Sequence, residues 1–536
     1  MTRRDILREG ARGVLLAAGA GLLDVHEALA GPASAEIVLS VGTLLNIKTL
    51  DPGRTLENAT NNVDHVTYDT LVTFAGEDVT TIRPSLATRW AISPDGLTYT
   101  FTLRPNVKFA SGNPFTSADV KWSFERLMHI KGNGAFLLNG LDAIMAPNPT
   151  TVVMKLSKPV PALLPILTDP ALSPVDTKLV MQNGGDASAD AKEKDTAEAY
   201  LNAHSAGTGP FMLASYTPNQ ELVLVKNPTH WRGAPKLDRV VLRNVVESGT
   251  QALLIEKGDL DIVVGIGADQ ARKLRNVPGV TVKSSLALNV VNVVMNNNPQ
   301  VGGAFSHPKV RQAVRYALDY VGIMALTGPG SVRAAGVIPT NLPGARPPRE
   351  AAKTDRDRAK ALLKEANLGD IEGTFIFSST IAAYGVDVSV LAQKVQHDLA
   401  AVGIKLKLND FPYTVQVQMS RDGKIPIGIG GWLADYMDVS DYLVFLPGRT
   451  VGKRLGWFSD SSPEAQEIVK LGETAEVETN PTKRVALYQE VDRRIAEAGP
   501  FVPLYQPAVP YAFRSNVRGV TYTTGWYTDY STITKS

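Results

Sequence analysis

Between Thr98 and Leu103 the chain alternates strictly, with Tyr99, Phe101 and Leu103 apolar and Thr100 and Thr102 between them. A period of two is that of a strand with one buried face. Ser93-Pro94-Asp95-Gly96 ahead of it is a turn, and Thr116-Ser117-Ala118-Asp119 behind it opens a helix as a capping box, with Val120, Phe124 and Leu127 at helical spacing. Further strands are predicted at residues 36–41, 151–156, 221–226, 239–245, 288–296, 374–377, 404–408 and 425–429. Helices are predicted after Ser306-His307-Pro308, with Val310, Ala313, Val314 and Ala317 on one face, over residues 356–366 and 393–402, and from the starts Ser462-Pro463 and Asn480-Pro481. In the second half of the chain strands and helices alternate, which argues for an α/β lobe with a partly parallel sheet.

Two polar stretches interrupt this pattern. Asn58-Ala59-Thr60-Asn61-Asn62 reads as a polar loop that is either solvated or lines a pocket, which makes Asn58 and Thr60 candidate ligand contacts. Residues 181–204, rich in Gly, Ala, Asp, Lys and Glu, read as an exposed loop and helix.

A chain of 536 residues exceeds one hydrophobic core, so two or three domains are expected. The net charge of +2 gives no argument for nucleic acid or an anionic membrane as partner. Without cysteine, disulfides, thiolate catalysis, sulfur-ligated metals and a lipid-modified cysteine are all excluded.

The N-terminus has the layout of an export signal. Arg3-Arg4 precedes an apolar run of about 11 residues from Gly13 to Leu23, followed by the small-x-small sites Ala28-Leu29-Ala30 and Ala33-Ser34-Ala35. That run is shorter than the roughly 20 residues a membrane span needs, and no later segment is a better candidate. Residues 1–30 are therefore expected to be a Tat-like signal peptide, with Sec export the alternative because Ile6 stands where a Tat signal prefers Phe. The expected product is exported and soluble.

Catalytic and metal signatures are missing. The seven histidines show no HExxH or other close ligand spacing, and there is no GxSxG elbow, P-loop or complete GxGxxG. No cofactor and no metal are expected.

One stretch holds candidate chemistry. Residues 425–429, a short apolar strand, run into Gly430-Gly431-Trp432-Leu433-Ala434-Asp435-Tyr436: glycines that allow close approach of another backbone, an indole wall and a carboxylate suited to a ligand amine. Taken alone, a strand-end turn followed by a helix-capping aspartate accounts for the same residues.

The run PSLATRWAISPDGLTYTFTLRPNVKFASGNPFTSADVKWSFERL, residues 84–127, resembles the signature region of the extracytoplasmic solute-binding proteins of family 5, the dipeptide- and oligopeptide-binding group of ABC importers. It departs at Ser111-Gly112, where the family has Asp-Gly. Gly207-Thr208-Gly209-Pro210 is similar to the family's GTGP turn, Val310-Arg311-Gln312-Ala313 to its VRQA helix, and Trp432-Leu433-Ala434-Asp435-Tyr436 to its W-x-A-D-Y segment, with Val439 where a Pro usually stands.

The resemblance implies an α/β, two-lobed periplasmic binding protein (cluster C, type II-like) with an extra subdomain in the N-terminal lobe and a two-strand hinge. The implied segments are residues 36–80, 205–288 and 505–536 for lobe 1, 81–204 for its inserted subdomain and 289–504 for lobe 2. It implies that Asp435 receives a peptide α-amino group, that the backbone of Gly431, Leu433 and Ala434 extends the ligand as a strand would, and that Trp432 and Tyr384 form apolar walls. The implied role is that of a monomeric periplasmic protein that captures a solute and delivers it to an ABC permease and its ATPase. Dipeptide binders of this family hold the ligand carboxylate with an Arg in the loop that here spans residues 378–384, and no Arg stands there. That favours longer or differently oriented peptides, or a non-peptide solute such as an opine, nickel complex or sugar. A secreted hydrolase with dispersed carboxylates is the reading from another class.

Overall fold

The computed structural model describes residues 36–380, 385–523, 525 and 527–536. The expected signal peptide, residues 1–30, and the candidate wall Tyr384 lie outside them.

Two large mixed sheets carry the fold. At the centre of the first, seven-stranded sheet lies Val38–Thr43, whose Leu39 and Val41 are fully buried. It pairs in parallel with Arg239–Asn244 on one side and Ile262–Val264 on the other. The antiparallel strands Glu221–Lys226 and Phe211–Thr217 extend one edge, and Ala508–Arg514 and Val280–Leu286 the other. The glycines of Gly207-Thr208-Gly209 lie against the backbone of Thr67 and Tyr68, where a Cβ would collide with the Thr67 carbonyl. They are required by close packing of two chain segments.

The second sheet has six strands. Ile371–Phe377 runs parallel to Ile404–Asp410 and Ile427–Gly430, while Val291–Met295 pairs antiparallel with Ile427–Gly430 and Phe501–Gln506. Helix Pro308–Ala317 buries Val310, Ala313, Val314 and Ala317 against this sheet, the face that the spacing predicted. Helices Pro463–Val477 and Pro481–Ala498 start at their predicted caps, Ser462 and Asn480, whose side chains accept the N–H of Ala465 and Lys483 at 3.1 Å each.

A separate four-stranded antiparallel sheet, ordered Ala87–Ile92, Thr98–Leu103, Thr151–Leu156, Leu141–Asn148, packs on helix Ser117–Ile130. That helix begins at the predicted capping box, in which the Thr116 N–H donates to Asp119 Oδ2 at 2.8 Å.

The polar stretches depart from expectation. Asn58-Ala59-Thr60-Asn61-Asn62 is the start of helix Asn58–Thr67, with Thr60, Asn61 and Asn62 buried. Two of these three are bonded: Thr60 donates to the Thr49 carbonyl at 3.0 Å, and Asn62 accepts the Tyr530 hydroxyl at 2.7 Å. Tertiary partners thus replace the apolar stripe by which a helix is ordinarily read. Residues 181–204 are not simply exposed either, because Ala197 and Leu201 are fully buried and Asp195 belongs to an internal ion cluster. In that cluster the Arg126 guanidinium, 2 % exposed, donates to both oxygens of Asp51 at 2.8 and 2.6 Å and to Asp195 at 2.7 and 2.8 Å, and Arg54 adds a further bond to Asp195 at 2.8 Å.

Two segments cross between the large sheets, Val280–Leu286 into Val291–Met295 and Phe501–Gln506 into Ala508–Arg514. They are tied where they pass: the Ala287 N–H donates to the Pro507 carbonyl at 2.9 Å. Gln506, fully buried, donates to the Ala287 carbonyl at 2.7 Å and to Asn341 at 2.8 Å, and accepts the Thr340 N–H and hydroxyl at 2.8 and 2.7 Å. Away from this joint, Phe74 and Val79 of the hairpin Val72–Ala75 and Asp78–Pro84 pack into a cluster with Met437, Tyr442 and Phe501. Lys158, next to the four-stranded sheet, forms an ion pair with Glu476 on helix Pro463–Val477 at 3.1 Å.

Candidate functional site

Strand Ile427–Gly430 ends inside the second sheet, and the chain leaves it as an irregular segment through Asp438 before a 3-10 helix, Val439–Phe445, begins. Gly428 and Gly430 lie where a Cβ would press on Ile376 and Val294, so the strand end packs tightly on its neighbours. The segment is fixed by bonds to the crossing region. Trp432 N donates to Asn289 Oδ1 at 3.2 Å, Ala434 N to the Leu288 carbonyl at 3.3 Å, and the Tyr442 hydroxyl to the same carbonyl at 3.0 Å.

Capping is done by another aspartate. Asp438 accepts the Ser440 N–H at 2.8 Å, starting the 3-10 helix, and is held by Arg484 through bonds of 2.6 and 3.2 Å. This leaves the Asp435 carboxylate with no hydrogen-bond donor among the described residues. Only its backbone N–H is engaged, with Asp441 Oδ2 at 3.3 Å. Asp441, 2 % exposed, also accepts the Trp432 indole N–H at 2.8 Å. The indole is therefore turned by a buried carboxylate, half-buried on the core of the second sheet, with Arg454 at 5.9 Å from its ring centroid.

The electrostatics follow from this crowding of acids. Burial pushes the Asp435 carboxyl up to about 6, and the Arg454 charge opposes the shift. Asp441 is raised well above the ordinary carboxylate range, first by burial and then by the Asp435 charge. Asp169, from the segment beside the four-stranded sheet, is pushed up to about 7 by burial; the bond from Ala171 N opposes this, and the charge of Asp435 adds to it. Asp435, Asp441 and Asp169 thus converge from both halves of the molecule.

Of the residues singled out from sequence, Gly431, Trp432, Leu433, Ala434 and Asp435 form one continuous segment, with Leu433 exposed and the others partly buried. Asn58 and Thr60 stand apart from it. Asn58 is half-buried at the first residue of its helix, and Thr60 is spent on the Thr49 carbonyl. The turn Pro170–Leu172, which Asp169 caps, packs on that helix.

Four residues were missed. Asp169, in a bend, Asp441, in the 3-10 helix Val439–Phe445, and Arg454, at the end of helix Thr450–Arg454, show in sequence only as ordinary polar residues. Asn289 did carry a signal, as a polar residue entering an apolar strand: it is fully buried, and its amide nitrogen has no acceptor among the described residues. The site therefore offers an unmet acceptor, Asp435, beside an unmet donor, Asn289. Among the described residues no group of three or more His, Cys, Asp or Glu is placed to hold a metal, and no helix is long and apolar enough to cross a membrane.

Comparison with known proteins gives a consistent result. The profile of bacterial extracellular solute-binding proteins, family 5 (Middle), matches residues 81–452. The chain is 28 % identical over 495 residues to the probable D,D-dipeptide-binding periplasmic protein DdpA of Escherichia coli K12, covering 90 % of this chain and 91 % of that one. It is 27 % identical over 503 residues to di/tripeptide-binding protein 2 of Pseudomonas aeruginosa UCBPP-PA14, covering 90 % and 92 %. Among solved structures, the ABC transporter-associated periplasmic binding protein DppA of Helicobacter pylori, in complex with the peptide STSA, superposes with a TM-score of 0.75 at 25 % identity, over 93 % of this chain and 98 % of that one.

Proposed function

The chain belongs to the bacterial extracellular solute-binding proteins of family 5, and from that premise we propose that it captures peptides or peptide-like amines between its two lobes and delivers them to an ABC permease. The relatives named above as dipeptide- and di/tripeptide-binding proteins support the ligand class. The observation that carries the reading is the Asp435 carboxylate: partly buried, without a donor, and relieved of any capping duty by Asp438. A desolvated anion of this kind is stabilised by a ligand ammonium. Asn289 is placed to donate to a ligand carbonyl through its unused amide, Trp432 offers the face of its ring, and the backbone of Gly431 to Ala434 extends a bound peptide in strand fashion.

Arg454 is the partner for a ligand carboxylate. It makes no ion pair among the described residues, stands near Asp435 and takes the role that no Arg in residues 378–384 can take. The protein works as an exported monomer without catalytic chemistry, in the periplasm as its relative DdpA is named, and residues 1–30 are removed on export. The missing loop Arg favours one second reading within the same role, a non-peptide solute bearing an amine.

Calorimetry with a free-amine tripeptide and its N-acetylated form tests the anchor. The acetylated form is expected to bind at least tenfold more weakly. Equal affinities would remove Asp435 as an amine site. Native mass spectrometry of the protein as purified separates the two ligand readings, since a mixture of peptide masses supports the first and a single non-peptide mass the second.

A further inference from the structure

The second lobe holds a cavity of about 490 Å³ that shares no lining residue with the Asp435 segment. It lies between the start of helix Pro463–Val477, helix Pro308–Ala317 and the end of helix Pro481–Ala498. Arg311 and Arg315, one helical turn apart, both line it. Like charges at this spacing repel, and a buried guanidinium normally sits against a carboxylate.

Neither does here. Arg311, 8 % exposed, donates only to the Ser306 carbonyl and, at 3.5 Å, to that of Ala498. Among the described residues Arg315 donates only to the Phe501 carbonyl at 3.4 Å, although the more distant charge of Glu497 acts on it. The two acids on the cavity wall are both exposed: Glu497 is paired with Arg493 at 2.5 Å, and Glu464 lies in the first turn of its helix. Ser462, which caps that 15-residue helix, also lines the cavity, so a helix start faces the same space as the two arginines. Burial alone depresses the Arg311 guanidinium to about 10, the response of a cation that has lost water without gaining a counter-charge.

The geometry points to a binding site for a small oxyanion, a phosphate or carboxylate group, held by Arg311 and Arg315 with the helix start at Ser462 completing the cradle. Planar guanidinium donors suit the paired oxygens of either group. Carbonyl contacts hold Arg311 in place and leave its charge uncompensated, which is the state an arriving anion corrects.

The test uses the full chain. Thermal unfolding is followed in inorganic phosphate, sulfate and acetate against chloride at matched ionic strength. At least one oxyanion is expected to raise the melting temperature with a saturating concentration dependence, and Arg315→Gln to weaken its apparent affinity at least tenfold, while Asp435→Asn leaves it unchanged. A tetrahedral preference assigns the site to phosphate-type groups, and an acetate preference to carboxylates. Should Arg315→Gln fail to fold, ³¹P line broadening of inorganic phosphate by the wild-type chain, reversed by sulfate, gives the answer for phosphate-type groups, and calorimetry with acetate for carboxylates. Identical melting in all four salts, or an oxyanion effect undiminished in a folded Arg315→Gln, would overturn the proposal.

Discussion

Arg126 and its two aspartates, and Asp435 with its two acidic neighbours, solve the same problem in opposite ways. In the first cluster Asp51 and Asp195 are buried, and Arg126 meets both with four bonds of 2.6–2.8 Å. In the second, Asp435, Asp441 and Asp169 are gathered with no cation among the described residues bonded to any of them, and all three hold their protons more tightly than an exposed carboxyl does. Three acids without a cation lower the stability of the unliganded fold, so an arrangement of this kind fits a site whose counter-charge arrives from outside. The first cluster is complete in the chain itself; the second, on the function proposed above, is completed by what binds.

The sharpest way to break this contrast is to remove the cation from the satisfied cluster. Arg126→Met is expected to lose about 3 kcal/mol of stability in chemical denaturation, because it leaves two buried carboxylates to Arg54 alone. Asp435→Asn should do the reverse of a structural mutation: unliganded stability at pH 7.5 stays level or rises, while affinity for an amine-bearing peptide falls by about 2–4 kcal/mol in calorimetry. Loss of both together would make Asp435 a structural residue.

Acidity sharpens the comparison further. Asp435 has its folded value raised to about 6 from an ordinary 3.8, so the folded chain binds this proton more tightly than the unfolded one. Its contribution to stability is therefore fully present below about 4 and is lost as pH rises through about 6. An ammonium ligand needs the ionised form, so its affinity should fall as pH drops below about 6, by up to roughly tenfold per unit, and Asp435→Asn should flatten that dependence. Titrating affinity between pH 7.5 and 5 in both proteins measures it. The smallest effect is expected at the capping aspartate: Asp438→Ala should cost about 1–2 kcal/mol in thermal or chemical unfolding, from the lost cap and the released Arg484.

What could be read in advance was whatever is local in the chain. The capping box at Thr116 and Asp119, the starts at Ser462-Pro463 and Asn480-Pro481, and the apolar face of Pro308–Ala317 depend on neighbours a few residues away, and each forms as spaced. The segment 431–435 could be singled out as a candidate because its residues are consecutive. Long-range partners were not. Arg126 finds its acids 75 and 69 residues away, and helix Asn58–Thr67 is buried through polar bonds to Thr49 and Tyr530 that no periodicity announces. Asp169 and Asp435 are brought together by packing between two halves of the fold, which also hid the companions of the candidate anchor. Even for Asp435, which sequence left open between ligand anchor and helix cap, it took the structure to show Asp438 at the cap.

The joint between the sheets has its own consequence. Ala287 and Pro507 are bonded backbone to backbone, and a single glutamine, Gln506, fastens Ala287, Thr340 and Asn341 around them. Two strips laced at one level can swing about that level, but they resist sliding past each other or twisting independently. Rotation about that level is the motion these bonds oppose least, and it is checked only where Phe74, Val79 and Lys158 reach across to the second half of the fold.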